Sequence, residues 1–391
     1  MGVTLKILTH RREHYAGDAI QGTVEMEIAS ANPEGPRAHQ LKLKLVGHVR
    51  IVVQVVDSEG MDYSSTSRID SNVFLSREIV LGSFAGRVAT GAYTFPFSFS
   101  VASLSLPSTE ETGAHGYFSI QYSLKARLYQ GPVQASNDRK SELRLKILGR
   151  PWEAVPAVPM VLGPTTSVVR HCCSASGIIT IGCRVDRSEV RTGEAIQVDV
   201  VIRNESSVAV HAMYIKIKQL ATWNAHSHKS SKKRTLASVV VRRSQLGGAE
   251  QGAAEAEGQS AASIAEATRQ DMRRQLAAGN GTRYRITVPR STALSFETPN
   301  IQVRHWLSVK LKPLGFNSSP QVSTPVKIRP PEMVSAGRAV QGEQRSAEDA
   351  PHSSTVVEVG ANGDDTPETV SQTATAMSYS IVRPQSHLQA Q

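Results

Sequence analysis

The sequence contains Tyr15-Ala16-Gly17-Asp18-Ala19-Ile20-Gln21-Gly22-Thr23-Val24, and the pattern returns as Val190-Arg191-Thr192-Gly193-Glu194-Ala195-Ile196-Gln197-Val198-Asp199-Val200. The two copies share a Gly-acid-Ala-Ile-Gln core, and Gly193 lies 176 positions after Gly17. Each copy has a glycine that can take a positive φ, then an acidic residue that favours turns, then apolar residues at every second position. This pattern predicts a turn that leads into a β-strand. We therefore assign a structural role to Gly17, Asp18, Gly193 and Glu194.

Three further segments of the first half have counterparts in the second half, in the same order. The pairs are residues 41–48 with 213–220, 93–99 with 283–289, and 120–128 with 303–311. Self-similarity over a domain's length is typical of a duplicated structural unit. The sequence therefore predicts two related domains in tandem.

Apolar residues recur at every second position along most of the first half. The segments are residues 23–28, 41–56, 95–101, 120–129 and 143–147. Such segments, separated by turn residues and without a long helical period, are typical of an antiparallel β-sandwich. We predict an all-β protein with two tandem sandwiches of immunoglobulin-like type.

Proline and composition divide the chain. Residues 1–150 form the first predicted sandwich, 151–167 a Pro-rich connector, 168–332 the second sandwich, and 333–391 a tail. The prolines of the connector lack the amide donor that a central strand needs. The tail has few large apolar residues, so it is expected to be disordered.

A segment at about residues 246–281 interrupts the second predicted sandwich. It is rich in Ala, Gly, Gln and Glu, and its later part has Ile264, Met272 and Leu276 near one helical face. Loops accept long insertions at small entropic cost. We expect a mobile linker with a transient helix in preference to a helix that docks on the domain.

Charge and cysteine content limit the functional classes. The 391 residues contain 44 Lys and Arg against 34 Asp and Glu, and the tail from residue 333 holds 3 basic and 7 acidic residues. The first 332 residues therefore carry a formal charge of +14, which favours anionic partners. The sequence has no run of 18 apolar residues, so no membrane span is predicted. Three cysteines are too few for a disulfide framework in a chain of this length, which favours a reducing compartment.

A family pattern emerges from these residues. The first half combines Tyr15-x-Gly17-Asp18-x-Ile20-x-Gly22, Leu45-x-Gly47, Gly91-x-Tyr93-x-Phe95-x-Phe97-x-Phe99, Leu106-Pro107-Ser108 and Gly116-x-Phe118-x-Ile120-x-Tyr122. The second half has Cys172-Cys173, Gly177-x-Ile179, Asp186-Arg187, Gly193-Glu194-x-Ile196 and Asn204-Glu205-Ser206-Ser207. Together they resemble the N-terminal and C-terminal domains of the arrestin family, in its α-arrestin (arrestin-domain-containing) branch.

The resemblance implies an adaptor without catalysis, cofactor or metal. Its expected partners are cytoplasmic tails of membrane proteins and the trafficking machinery, and its expected place is the cytoplasm, at the periphery of endosomal or plasma membranes. Many α-arrestins recruit WW-domain ubiquitin ligases through Pro-Pro-x-Tyr. Here Pro330-Pro331-Glu332-Met333 has Met in the Tyr position, so this recruitment is not expected.

The densest basic run is the candidate binding site. It consists of Lys229, Lys232, Lys233, Arg234, Arg242 and Arg243. Such a run is often a solvated loop, and the alternative is contact with anionic lipid or a phosphorylated cargo tail. Nucleic acid is not expected, because Trp223 is the nearby aromatic residue and no stacking platform accompanies the run.

Two smaller groups have structural interpretations. His171 with Cys172, Cys173 and Cys183 lacks the paired CxxC spacing of a zinc site, and adjacent cysteines on a strand point to opposite faces. We interpret them as structural thiols, with reversible acylation of Cys172-Cys173 as the alternative. His226 and His228 are expected to be exposed loop residues.

Two alternatives to the adaptor remain. A coat or cargo-recognition subunit, like the arrestin-fold component of retromer, would share the fold and also lack the WW-binding motif. A β-sandwich hydrolase or lectin would need a convergent polar site, and the sequence does not display one.

Overall fold

The structure is a computed structural model that describes residues 2–29, 36–59, 62–101, 106–130, 138–149, 158–171, 174–246, 261–314 and 318–331. The tail and the Glu332-Met333 pair lie outside the described residues. The first sandwich consists of β1 (Gly2–Thr9), β2 (Glu13–His14), β3 (Ala19–Ala29), β4 (Arg37–Glu59), β5 (Asp62–Arg87), β6 (Gly91–Ser100), β7 (Thr109–Gly113), β8 (Gly116–Tyr129) and β9 (Arg139–Ile147).

The second sandwich has ten strands and one α-helix in its described part. They are β10 (Met160–His171), β11 (Ser174–Val185), β12 (Glu189–Arg191), β13 (Ala195–Ser206), β14 (Val210–Ala225), β15 (His228–Arg242), α1 (Ala261–Ala278), β16 (Thr282–Thr287), β17 (Phe296–Glu297), β18 (Ile301–Pro313) and β19 (Gln321–Arg329). A 3-10 turn, Arg243–Gln245, follows β15.

The two sandwiches repeat one strand order. In the first, β1-β3-β6 faces β2-β9-β8-β4-β5, with β7 on β8; in the second, β11-β13-β16 and β12-β19-β18-β14-β15 are arranged in the same way, with β17 on β18. Strand β10 is an addition at the edge of the smaller second sheet. Even the two short parallel pairs correspond, β2 with β9 and β12 with β19. The three landmark pairs lie on equivalent strands, and the prediction of an all-β double sandwich is confirmed.

The repeated glycine motif forms the same turn twice. Gly17 has a φ of 101°, and the Asp18 carboxylate accepts a bond from the Tyr15 amide at 2.9 Å. Gly193 has a φ of 87°, and the Glu194 carboxylate accepts from the Arg191 amide at 3.2 Å. In each copy the acidic side chain closes the turn, because it satisfies an amide that would otherwise have no partner.

Replacing Gly17 by Val is expected to lower the free energy of unfolding by about 1–2 kcal/mol, because a branched side chain must adopt a positive φ. A Cβ at Gly17 would have no atom within 4 Å, so the cost lies in the backbone. Gly163→Ala is the control, since its Cβ would also be in open space but its φ is not positive. A Gly17→Val protein with the parent's midpoint in urea denaturation would contradict this prediction.

The second sandwich begins earlier than the sequence boundary indicates. Strand β10 starts at Met160, inside the expected connector, and pairs with β11. Its ladder shifts register between Leu162 and Thr165, around Pro164. A proline is tolerated there because β10 is an edge strand and the irregularity removes the need for its amide.

Helix α1 packs on the outer face of the second sandwich. Met272 and Leu276 are fully buried against Val201 of β13. Leu276 also lies over Gly182 of β11, where a Cβ would come within 2.8 Å of the leucine Cδ1 atom. The expectation of a mobile linker is therefore wrong for residues 261–278.

The described part of the chain has no helix that is long and apolar enough to cross a bilayer.

Candidate functional site

The basic run predicted from the sequence lies on β15 and at the start of the turn after it. Strand alternation divides it: Lys232 and Arg234 point to the junction between the sandwiches, whereas Lys229 and Lys233 are exposed. Arg242 and Arg243 lie at the opposite end of the strand, roughly 40 Å from Lys229 at about 3.3 Å per residue. The structure therefore does not bring the six residues together as one site.

The junction contains a buried polar cluster that joins the two sandwiches. Glu111 of β7 is only 4% exposed. Arg234 Nη2 donates to Glu111 Oε1 at 2.7 Å and to Gln219 Oε1 at 3.1 Å, and Gln219 Nε2 donates to Glu111 Oε1 at 2.8 Å. Lys232 Nζ lies 3.8 Å from Glu111 Oε2. A carboxylate of the first sandwich is thus held by side chains of the second.

His305 extends this cluster. Its Nε2 lies 3.2 Å from Gln219 Oε1 and its Nδ1 2.8 Å from Ser295 Oγ. Burial, followed by the charge of Arg234, lowers the His305 pKa to about 4, so the ring is neutral near pH 7. Because the Gln219 oxygen can only accept, Nε2 carries the proton and Nδ1 accepts from the Ser295 hydroxyl.

The Ser295–His305 contact has the composition of a nucleophile and its base, but its surroundings are structural. His305 is 3% exposed, and Ser295 Oγ also accepts from the Ile328 amide at 2.8 Å. Both side chains therefore tie β18 and β19 to the segment before β17.

Apolar packing supports the junction beside the polar cluster. Trp223 of β14 is 1% exposed and belongs to the hydrophobic core of the first sandwich. Its ring centroid lies 5.4 Å from that of Phe118, and a Cβ at Gly113 would approach the indole to 2.8 Å. Trp223, the aromatic residue near the basic run, is therefore an anchor between domains.

The outer face of the larger sheet of the second sandwich is strongly basic. We call it the basic face; it consists of Lys216, Lys233, Arg304, Lys310 and Lys312. The strands β14, β15, β18 and β19 contain no Asp or Glu. Two aromatic rings lie among the lysines, with Lys233 Nζ 5.9 Å from the Trp306 centroid and Lys216 Nζ 5.5 Å from that of Tyr214.

The equivalent face of the first sandwich has carboxylates among its cations, although Lys44, Lys140 and Arg144 also lie on it. Its ion pairs are Lys42 with Glu78 at 3.0 Å, Lys125 with Glu142 at 3.4 Å, and Arg127 with Asp138 at 2.7 Å. Among the residues of the basic face, Arg304 has a carboxylate partner in the described ion pairs, Glu297 at 3.3 Å. At the far edge of the same sheet, Glu189 of β12 pairs with Lys327 at 3.4 Å and with Arg329 at 3.0 Å. The two sheets thus differ in how many of their cations have a carboxylate beside them, and the central strands of the second sheet have a field that favours anions.

The two halves match two family descriptions, "Arrestin (or S-antigen), N-terminal domain" over residues 4–145 and "Arrestin (or S-antigen), C-terminal domain" over residues 175–332. Together the matches cover about three quarters of the chain. The protein belongs to the arrestin family. The matches do not distinguish the branch, so the assignment to the α-arrestins stays a prediction.

The cysteines and histidines of this arrestin have structural surroundings where they are described. Cys183 is buried, and burial raises the pKa of its thiol to about 12. Cys172 and Cys173 lie outside the described residues. His226 is exposed as expected, and its Nε2 lies 3.0 Å from the Ile69 carbonyl oxygen of β5. Within the described ranges no three His, Cys, Asp or Glu residues are grouped as metal ligands would be.

A cleft of about 920 Å³ lies between the two sandwiches of this arrestin, beside the repeated turns. Several charged groups that line it are already paired: Lys146 with Glu13 at 2.7 Å, Arg234 with Glu111, and Glu194 with Arg191. The Tyr15 hydroxyl donates to the Pro331 carbonyl oxygen at 2.6 Å, which ties the last described residue to the first sandwich. The contacts of the cleft thus hold the two repeated turns and the end of the second sandwich in place.

Proposed function

We propose that this protein is a non-catalytic arrestin-type adaptor in the trafficking or endocytosis of membrane proteins. It would bind cytoplasmic segments of membrane cargo and work in the cytoplasm, at the periphery of endosomal or plasma membranes. The family membership supports this proposal, because the arrestin fold presents extended sheet surfaces to other proteins.

The basic face is the observation that carries the proposal. Lysines on a sheet surface without nearby carboxylates attract phosphorylated surfaces, and each Lys or Arg close to an anionic membrane contributes about 1 kcal/mol. Trp306 and Tyr214 add amphipathic rings that suit the boundary between headgroups and acyl chains. This proposed binding surface differs from the basic run expected from the sequence, because it combines Lys233 with lysines of β14 and β18.

Recruitment of a WW-domain ubiquitin ligase is not included in the proposal. The Pro-Pro-x-Tyr motif that such a ligase binds is altered at Met333. Adaptor function would then depend on other trafficking partners.

Reversing three charges of the basic face, Lys216→Glu, Lys233→Glu and Lys310→Glu, is expected to reduce flotation with phosphoinositide-containing liposomes by roughly a hundredfold or more. Reversal of Arg139, Lys140 and Arg144 on the first sandwich changes the net charge equally and is the control. We expect the control to retain most of its flotation.

Equal losses in the two triple variants would overturn the assignment to the basic face, and unchanged flotation in both would remove lipid contact from the proposal. Proximity labelling in cells tests the adaptor role itself. Neighbours among transporters and endosomal proteins would support it, sorting-nexin neighbours would favour a coat subunit, and labelling of neither group would contradict both.

A further inference from the structure

Strand β5 is the open edge of the larger sheet of the first sandwich. It is 26 residues long and contains no proline. Two other edge strands contain a proline that discourages pairing, Pro96 in β6 and Pro164 in β10. Four of the nine large apolar side chains exposed in the described part of the chain lie on β5, and these are Ile69, Val73, Phe74 and Val80.

The accessible part of this edge is the short segment 75–80, which lies between two bulges. The β4–β5 ladder shifts register next to Phe74 and Leu81, and residues 75–80 pair regularly with β4 between these two bulges. Closer to the hairpin tip, the edge is capped, because His226 of the second sandwich contacts the Ile69 carbonyl oxygen. No described strand pairs with the outer side of residues 75–80.

The polarity of this segment is symmetric about Arg77. The order is Val73-Phe74-Leu75-Ser76-Arg77-Glu78-Ile79-Val80, with apolar residues at both ends and polar residues in the centre. Val73 and Val80, at the two ends, are 52% and 51% exposed. A strand with such a pattern is complementary to an antiparallel copy of itself, because apolar residues then face apolar residues.

We propose that the outer edge of β5 binds a second copy of this chain, and that two β5 strands pair antiparallel around a twofold axis at Arg77. This isologous contact continues the sheet from one protomer to the other. Leu75 of one copy faces Ile79 of the other, and Ser76 faces Glu78. Val80 then lies beside the Val73–Phe74 bulge of the second copy.

The charges permit this register. The two Arg77 residues meet at the axis, but each guanidinium already donates to the Ser100 carbonyl oxygen of its own β6, at 3.1 Å, and is therefore held by its own protomer. Glu78 is balanced by Lys42 at 3.0 Å, and its second oxygen is within reach of an opposing serine hydroxyl. Pairing thus leaves the charged groups of the edge with partners.

Sedimentation velocity of the full chain over a range of concentrations tests the proposal. We expect a monomer–dimer equilibrium that Val80→Lys weakens by roughly tenfold, because two symmetry-related cross-strand contacts are lost. Val240→Lys is the matched control, since Val240 is an exposed apolar residue of β15, the equivalent edge of the second sandwich. A monomer at all concentrations, or equal weakening by both variants, would overturn the proposal.

Thiol bridging tests the register and does not depend on how Val80→Lys folds. Ser76→Cys and Glu78→Cys proteins, prepared with Cys172 and Cys173 replaced by Ser, are mixed and treated with a short bifunctional thiol reagent. We expect covalent dimers from the mixture and few from either protein alone, because opposing Cβ atoms lie about 4.5–5.5 Å apart only between positions 76 and 78. Absence of bridging in the mixture, or equal bridging in the separate proteins, would refute this arrangement.

Discussion

Replacing Trp223 by Ala is expected to lower the free energy of unfolding by about 3–5 kcal/mol, the usual cost of removing a buried Trp or Phe side chain. The residue belongs to β14 but is buried in the core of the first sandwich, against Phe118 and the backbone of Gly113. Its removal leaves a cavity between two domains that can move apart. We therefore expect calorimetry to resolve two unfolding transitions for Trp223→Ala and a single transition for the parent.

Trp223→Phe is the control for this experiment. The indole nitrogen is buried without a hydrogen-bonding partner among the described residues, so phenylalanine keeps most of the packing and loses no bond. It should cost clearly less than alanine and keep a single transition. If Trp223→Ala melts in one transition at the parent's temperature, Trp223 does not couple the sandwiches.

The fold was largely predictable because its determinants are local. The Gly-acid turns, the alternation along β4, β8 and their counterparts, and the order of the landmarks all follow from short-range steric and packing rules. The docking of α1 was not predictable in the same way. The spacing of Met272 and Leu276 indicates an apolar stripe on the helix. The stripe packs where Gly182, on a strand distant in sequence, has no side chain to block it.

The sequence predicts the basic character of the candidate site, but not which of its residues lie together in space. The sequence indicates that residues 229–243 are basic, but their division between the junction and the outer face depends on their being a strand. Once β15 is recognised as a strand, its alternation separates Lys232 from Lys233. The lysines that complete the basic face, such as Lys216 and Lys310, belong to strands distant in sequence, so only the sheet register brings them together.

The role of Glu111 is not evident from the sequence either, because its partners Gln219 and Arg234 are distant in sequence. Its replacement has the second large expected effect on stability. Glu111→Ala is expected to lower the free energy of unfolding by about 2–4 kcal/mol, because the Gln219 amide loses its acceptor and Arg234 loses its carboxylate partner and keeps the Gln219 oxygen. The effect stays below that of a fully buried pair, since the Arg234 side chain is 36% exposed and water compensates part of the loss. Urea denaturation measures the difference.

Glu142→Ala is the control, because Glu142 binds Lys125 on an open sheet face where both side chains are about half exposed, and it should cost about 1 kcal/mol or less. A double-mutant cycle with Arg234→Ala separates the pair from its surroundings. If Glu111 acts through Arg234, the double variant costs less than the two single variants together, by about 1–3 kcal/mol. Strict additivity would mean that Glu111 stabilises the junction independently of Arg234, through the Gln219 and His305 side of the cluster.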